Sequence, residues 1–158
     1  MTVTITITCV DTSAILRLLF AEGDFSLVEK ALLGPCVSSV LATLEVPCAI
    51  EARVHRGELT VADRPKTLAQ ARKTLDGISQ SGLTERVRRE TLEVAERFPV
   101  RTADAVYVAT AAVLNRQQAR RGGTLRFCTA DRRQAHAAHT LFGDKQVDYL
   151  PPLPTEGG

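Results

Sequence analysis

Apolar and polar residues alternate in short runs along the chain, and the period changes from run to run. Near the start, threonines alternate with valine and isoleucine, which predicts a strand over residues 3–10. Shorter apolar runs predict strands over 36–39, 125–129 and 146–149. The intervals between them have helical spacing. They predict helices over 13–21, 24–33, from Ser38 or Ser39 as N-cap to about Arg56, 66–80, 85–97, 102–119, and from Asp131 to about Leu141.

Glycine, proline and capping residues mark where these helices begin and end. Gly57 is predicted to end the third helix and Ser81-Gly82 the fourth, and Thr84 is predicted to cap the fifth. Pro47 lies inside the third predicted helix. Because proline lacks an N–H group, we expect a kink there or a late start of that helix.

Strands that alternate with helices predict an α/β fold, with a short parallel sheet covered by helices on both faces. In such sheets, ligands bind where the carboxyl ends of the strands meet. Asp11 directly follows the first predicted strand, and Asp131 follows the strand over 125–129. Glu45 and Asp104 lie in helix-like segments and can face the same cleft. The sequence therefore predicts four carboxylates at one edge of the sheet.

These carboxylates lie beside small and apolar residues rather than among surface charges. Loss of water disfavours a charged carboxylate, so several in one cleft usually share protons or hold hard cations. This favours a metal-dependent phosphodiester chemistry. Taken singly, the residues have ordinary explanations: Asp11 and Asp131 suit helix N-caps, and Arg101 suits an ion pair with Asp104.

Length and composition indicate one compact domain. Of 158 residues, 44% are apolar, which is enough for a sizeable core. We expect this domain over 1–150 and an extended or disordered tail over 151–158, which is rich in proline and glycine. The net charge of +2 neither favours nor excludes a nucleic-acid partner. No apolar run approaches the roughly 20 residues of a membrane span, and no secretory signal is visible, so we expect a cytoplasmic protein.

The cysteines and histidines form no metal pattern, since no two cysteines have C-x-x-C spacing and no histidine completes a zinc site. Cys9, Cys36 and Cys128 lie in apolar runs, so we expect them to be reduced and buried. The three histidines are expected at the surface.

Four segments together resemble the PIN-domain ribonucleases, and most closely the VapC-type toxins of bacterial toxin–antitoxin pairs. They are Val10 to Ala14, Ser38 to Val46, Phe98 to Ala111 and Phe127 to Asp131. No single segment is specific, but their order and spacing match the family. Pro47, shortly after the glutamate, departs from the family pattern.

The resemblance implies a three-layer α/β/α sandwich and a Mg²⁺- or Mn²⁺-dependent endoribonuclease. In that reading Asp11, Asp104 and Asp131 lie closest to the metal, and Glu45 orients water or completes the shell.

The resemblance also suggests which residues support the acidic groups and the RNA. Ser13 and Thr129 are candidates to hydrogen-bond to a carboxylate or a bound water. Arg132 and Arg133 directly follow the last aspartate and are the first candidates to hold RNA phosphates. Few aromatic residues are present, which favours a specific or structured RNA, such as tRNA, over general binding by base stacking.

A free ribonuclease would be harmful, so the toxin reading implies a cognate antitoxin, and the family resemblance implies a homodimer. The predicted helices over 24–33 and 66–80 have apolar faces that suit either contact or the core. Two alternatives stay open: a catalytically silent interaction module with this fold, and a free-standing PIN nuclease. Other acidic sites on similar sheets fit less well, because Ser13 stands where a dehalogenase-type phosphatase has its second aspartate.

Overall fold

The computed structural model describes residues 4–154. Its strands are β1 (Thr6–Val10), β2 (Cys36–Ser39), β3 (Ser79–Ser81), β4 (Thr124–Thr129) and β5 (Val147–Tyr149). Its helices are α1 (Thr12–Leu19), α2 (Phe25–Ala31), α3 (Ala42–His55), α4 (Arg64–Asp76), α5 (Glu85–Arg97), α6 (Thr102–Arg120) and α7 (Arg132–Phe142). A short 3₁₀ turn at Asp144–Gln146 precedes β5.

The strands form one parallel sheet in the order β3-β2-β1-β4-β5. From β1 the chain moves outward through β2 to β3, and it then returns to place β4 on the other side of β1. The strand order therefore reverses next to β1, and this is the point where parallel sheets form their ligand crevice. Val10 pairs with Cys128 in register, so β4 extends only one residue beyond the end of β1.

Alternate side chains of the central strands point into two separate hydrophobic clusters. Cys9 and Phe127 pack with α5, α6 and α7, whereas Val10 and Cys128 pack with the helices α1 to α4. This alternation is the period-two geometry of a strand with both faces covered. The predicted three-layer α/β/α sandwich is confirmed, and the three cysteines expected in the core are buried free thiols.

The predicted N-cap of α3 at Ser38 or Ser39 was wrong. Ser38 and Ser39 belong to β2, and the Ser38 hydroxyl donates to the Val10 carbonyl at 2.6 Å. The N-cap of α3 is instead Leu41, whose N–H donates to the Ser39 hydroxyl oxygen. Since α3 begins at Ala42, ahead of the glutamate, and contains Pro47, the structure excludes the late start and leaves the kink as the prediction.

The single helix predicted over 66–80 is a helix followed by a strand in the structure. The helix α4 ends at Asp76, and the polar residues Ser79–Ser81 form the edge strand β3 against β2. A three-residue polar strand has no apolar alternation, so its pattern does not distinguish it from a helix end. By contrast, Thr84 caps α5 as predicted, and its hydroxyl oxygen accepts the Val87 N–H.

The ends of the chain are described only in part. Of the predicted tail, residues 151–154 have no regular secondary structure, and Arg17 donates to the Pro151 carbonyl at 2.8 Å. Val3 of the first predicted strand and residues 155–158 lie outside the described residues, so the proposed domain boundaries stay predictions. Within 4–154, no helix is both long and apolar enough to cross a membrane.

Truncating the core at β4 should cost far more stability than the same change at the surface. Leu125 is fully buried, whereas Leu33 is 86% exposed. We expect Leu125→Ala to lower the free energy of unfolding by about 2–5 kcal/mol, because it removes apolar burial and leaves a cavity. Leu33→Ala should change it by less than about 0.5 kcal/mol. Urea denaturation measures both, and equal midpoints would contradict the assigned core.

Candidate active site

Asp11 occupies the junction between β1 and α1 and is 1% exposed. Its Oδ1 accepts the Ala14 N–H at 2.9 Å, so it caps α1, as its ordinary explanation predicted. The hydroxyls of Ser13 and Thr129 also donate to it, at 2.7–2.8 Å. Burial raises the pKa of the Asp11 carboxyl to about 6, and these hydrogen bonds oppose the rise. The nearby Asp131 adds to the rise by charge repulsion.

Ser13 and Thr129 join the carboxyl ends of the two central strands. The Thr129 hydroxyl donates to Asp11 and accepts the Asp131 N–H at 2.9 Å. The Ser13 hydroxyl donates to Asp11 and accepts the Ala130 N–H at 2.9 Å. Each hydroxyl thus donates its proton to Asp11, which follows β1, and accepts a backbone N–H from the residues that follow β4. The sequence analysis expected a carboxylate or a bound water as the partner of these hydroxyls, and in the structure both donate to Asp11.

Asp131 caps α7, and its Oδ1 accepts the Gln134 N–H at 2.9 Å. Asp104 lies in the first turn of α6 and is 7% exposed. Its Oδ1 accepts from the side-chain amide of Gln134 at 2.9 Å, and its Oδ2 accepts from Arg101 at 3.3 Å. Gln134 therefore contacts both aspartates, one through its backbone and one through its side chain.

Glu45 lies in the first turn of α3, on the other side of the cleft, and is half-buried. The Thr12 hydroxyl donates to it at 3.3 Å and lies 2.6 Å from the Tyr107 hydroxyl. Burial raises the pKa of the Tyr107 hydroxyl far above its usual value, so this group is a neutral donor. The pair Thr12 and Tyr107 fixes the position of the glutamate.

The sequence prediction did not include Thr12, Tyr107 or Gln134. Tyr107 lies one helical turn after Asp104 among the buried alanines and valines of α6, and Gln134 precedes the buried alanines of α7. A single buried polar residue one turn from a candidate carboxylate was the available signal. Its partner lies on a distant part of the chain, so spacing alone does not identify it.

The four predicted carboxylates meet at one end of the sheet, but polar side chains lie between them. Their donor atoms are all oxygens, which suits Mg²⁺ or Mn²⁺ better than zinc. Over residues 4–154, no three acidic, histidine or cysteine side chains converge as a metal site. The donor chemistry fits a hard divalent cation, and the desolvated Asp11 beside Asp131 is an arrangement that such a cation would stabilise.

The basic residues near the cleft differ in how they are paired. Arg132 and Arg133 are exposed in the first turn of α7, and neither forms an ion pair within the described part of the chain. Several other arginines are paired with nearby glutamates. These pairs are Arg53–Glu22, Arg56–Glu58 and Arg116–Glu90.

The PIN domain family matches residues 8–140, and the chain belongs to that family. No curated protein sequence matches it. Among solved structures, PAE2754 from Pyrobaculum aerophilum shares 18% identity over 90% of this chain and 83% of its own, with a TM-score of 0.61.

Two further similar structures come from toxin–antitoxin complexes. One, from Klebsiella pneumoniae, is 17% identical over 92% of this chain and 99% of its own, with a TM-score of 0.56. The other, VapBC-5 of the VapBC family from Mycobacterium tuberculosis, is 18% identical over 92% and 98%, with a TM-score of 0.54. At these identities the likeness confirms the fold.

The raised pKa of Asp11 predicts how stability depends on pH in the metal-free protein. A folded pKa of about 6 against 3.8 for the free group means that folding favours the protonated form. Stability from this group is present below about pH 4 and is lost as the pH rises through 6. By pH 7 the loss relative to Asp11→Asn should be about 3 kcal/mol. Urea unfolding in EDTA at both pH values measures it.

Asp76→Asn is the matched control for this prediction. Asp76 is exposed at the end of α4. The free energy of unfolding of Asp76→Asn should therefore equal that of the wild type at about pH 4 and at about pH 7. If Asp11→Asn and the wild type lose stability in parallel between about pH 4 and pH 7, the proposed desolvation of Asp11 is wrong.

Proposed function

We propose that this protein is a metal-dependent endoribonuclease and the toxin of a toxin–antitoxin pair. The observation that carries the proposal is the position of four carboxylates at one end of the sheet. Two of them directly follow the adjacent strands β1 and β4, where the strand order reverses. Membership of the PIN domain family supports nuclease chemistry, because that family is typically nucleolytic.

Asp11, Asp104 and Asp131 would hold Mg²⁺ or Mn²⁺, directly or through water. Such a cation, when bound, lowers the pKa of a water and neutralises charge on the phosphate. Ser13 and Thr129 hold the Asp11 carboxylate in one orientation, since both donate to it.

The remaining polar residues hold the other acidic groups. Gln134 holds Asp104, while Thr12 and Tyr107 hold Glu45. In this proposal Glu45 would orient a water at the cleft or accept a proton from it. Arg132 and Arg133 supply the positive charge that a polyanion needs beside an acidic cleft. A structured RNA such as tRNA remains our proposed substrate class.

A groove that none of the four site carboxylates lines supports the proposal of an antitoxin partner. It has a volume of about 760 Å³ and lies between α1, α2 and α4. Its apolar lining residues are Leu18, Leu19, Phe25, Leu32, Leu33 and Leu59, with charged residues such as Glu29 and Lys66 beside them. This lining suits the apolar face of an amphipathic helix. A homodimer would use another surface, for which the exposed Leu92 on α5 is a candidate.

The proposed activity is tested by incubating the purified protein with a mixed RNA pool, with Mg²⁺, with Mn²⁺ and with EDTA. We expect discrete metal-dependent products from the wild type. Asp104→Asn should lower the cleavage rate at least roughly 10- to 100-fold, which is the loss seen when a residue that supports a metal ligand is mutated. The substitution removes the negative charge at nearly constant volume. Asp76→Asn should cleave like the wild type.

Full activity of Asp104→Asn would contradict the assigned role. If the wild type cleaves no RNA in any metal but still binds Mn²⁺, the catalytically silent module becomes the better reading. If the wild type cleaves RNA but no antitoxin can be found, the free-standing nuclease becomes the better interpretation.

Metal binding can be measured without cleavage. We expect saturating Mn²⁺ to raise the melting temperature, because a cation that binds only the folded carboxylates stabilises them by mass action. At about 100 times the dissociation constant the rise should be about 5–10 °C. Asp11→Asn should reduce this rise and Asp76→Asn should not. An unchanged melting temperature in the wild type would count against a metal site.

A further inference from the structure

A small cavity opens beside the acidic cleft, between the segment that leads into α6 and the first turns of α7. Its volume is about 250 Å³, and its walls are Phe98, Pro99, Val100, Arg132, Arg133 and His136. The same two segments carry Asp104 and Asp131, in the first turn of α6 and at the N-cap of α7. The cavity is therefore lined by residues that adjoin two of the four carboxylates along the chain.

His136 provides a flat ring in this cavity. Its imidazole meets the Phe98 ring edge-on, with centroids 6.3 Å apart and planes at 85°. Phe98 is itself buried, and the Arg97 guanidinium lies 5.3 Å from its ring centroid. The residue His136 nevertheless remains exposed. Contact with a fixed neighbour thus holds the imidazole in place without covering it.

Pro99 adds a second rigid wall. The Val100 N–H donates to the Phe98 carbonyl at 2.9 Å, and this tight turn leaves Pro99 exposed at its centre. A proline ring has no flexible side chain to order, so a flat ligand that packs on it loses little conformational entropy of the protein.

Two free positive charges complete the cavity. His136 follows Arg132 by four residues and Arg133 by three, so the three side chains share one face of α7. Over residues 4–154 neither arginine has a carboxylate partner, whereas Arg101 and Arg126 do. Unpaired guanidinium groups are available to bind phosphate oxygens.

We propose that this cavity receives one base of the RNA, next to the phosphodiester that is cleaved; the position of that bond rests on the proposed nuclease function. Bases that are out of a stack pack on aromatic rings and guanidinium planes. The base would pack on His136 and Pro99, while Arg132 and Arg133 hold the adjacent phosphates. The cavity would thus make cleavage depend on the base at one position.

The test is a thermodynamic cycle that does not require cleavage. Affinities are measured in the Asp11→Asn protein for a short RNA and for copies in which one nucleotide at a time is abasic. At one position, loss of the base should weaken binding about fivefold or more, as loss of a stacking contact does. His136→Ala should weaken binding of the intact RNA by a similar factor. The two losses together should cost little more than either alone.

Two further variants separate base contacts from charge. His55→Ala, an exposed histidine at the end of α3, should bind every RNA like the parent. Arg133→Gln should weaken intact and abasic RNAs by the same factor and should reduce the salt dependence of binding.

The proposal is overturned if base loss and His136→Ala have independent, multiplicative effects at every position, or if His136→Ala binds like His55→Ala. Cleavage by the wild type without this coupling would remove the base site and leave the nuclease. Coupling in a protein that cleaves no RNA would keep the base site and remove the nuclease.

Discussion

The candidate site depends on one buried carboxylate at the junction of β1 and β4. Asp11 closes the first turn of α1, accepts two hydroxyl protons, and through Thr129 and Ser13 is tied to the end of the neighbouring strand. Burying a charge in this way is unfavourable unless its lone pairs are satisfied. The three hydrogen bonds offset part of this cost, and they also tie the ends of β1 and β4 to the start of α1. Fold and site therefore depend on the same atoms.

This arrangement removes the conflict between the ordinary and the functional explanation of the aspartates. Asp11 and Asp131 both cap helices, as their position before α1 and α7 requires. Each cap uses Oδ1 for the backbone. Capping thus occupies one oxygen of each carboxylate with the backbone and leaves Oδ2 for side chains or a ligand.

Gln134 connects the two helices that carry the other aspartates. Its backbone N–H donates to Asp131 and its amide to Asp104, and its Oε1 is buried without a partner within residues 4–154. An unsatisfied buried oxygen costs stability. The contact nevertheless fixes α6 and α7 relative to each other, because the backbone of Gln134 bonds to the start of α7 and its side chain bonds to the start of α6.

Much of this could be predicted from the sequence because the informative signals were local. The apolar runs that end at Val10 and Thr129 specified the two central strands, and the acidic residues after them followed from the geometry of parallel sheets. The strand Ser79–Ser81 could not be predicted, because it is defined by its pairing with β2, which lies about 40 residues earlier in the sequence. The contacts of Tyr107 and Gln134 were missed for the same reason: polar pairing across a long sequence separation leaves no periodic pattern.

The ion pair between Arg101 and Asp104 has a consequence for anything that enters the cleft. Arg101 is largely exposed, and its guanidinium lies 3.3 Å from a carboxylate that is itself nearly buried. The free chain therefore already carries its own counter-ion at this position. An incoming cation, or a basic side chain of another protein, must displace Arg101 from Asp104. Its net binding free energy at this position is therefore its attraction to Asp104 minus the attraction of Arg101. Displacement would also leave the Arg101 guanidinium unpaired at the mouth of the cleft. Binding of a cation at Asp104 would therefore make Arg101 available to attract a polyanion.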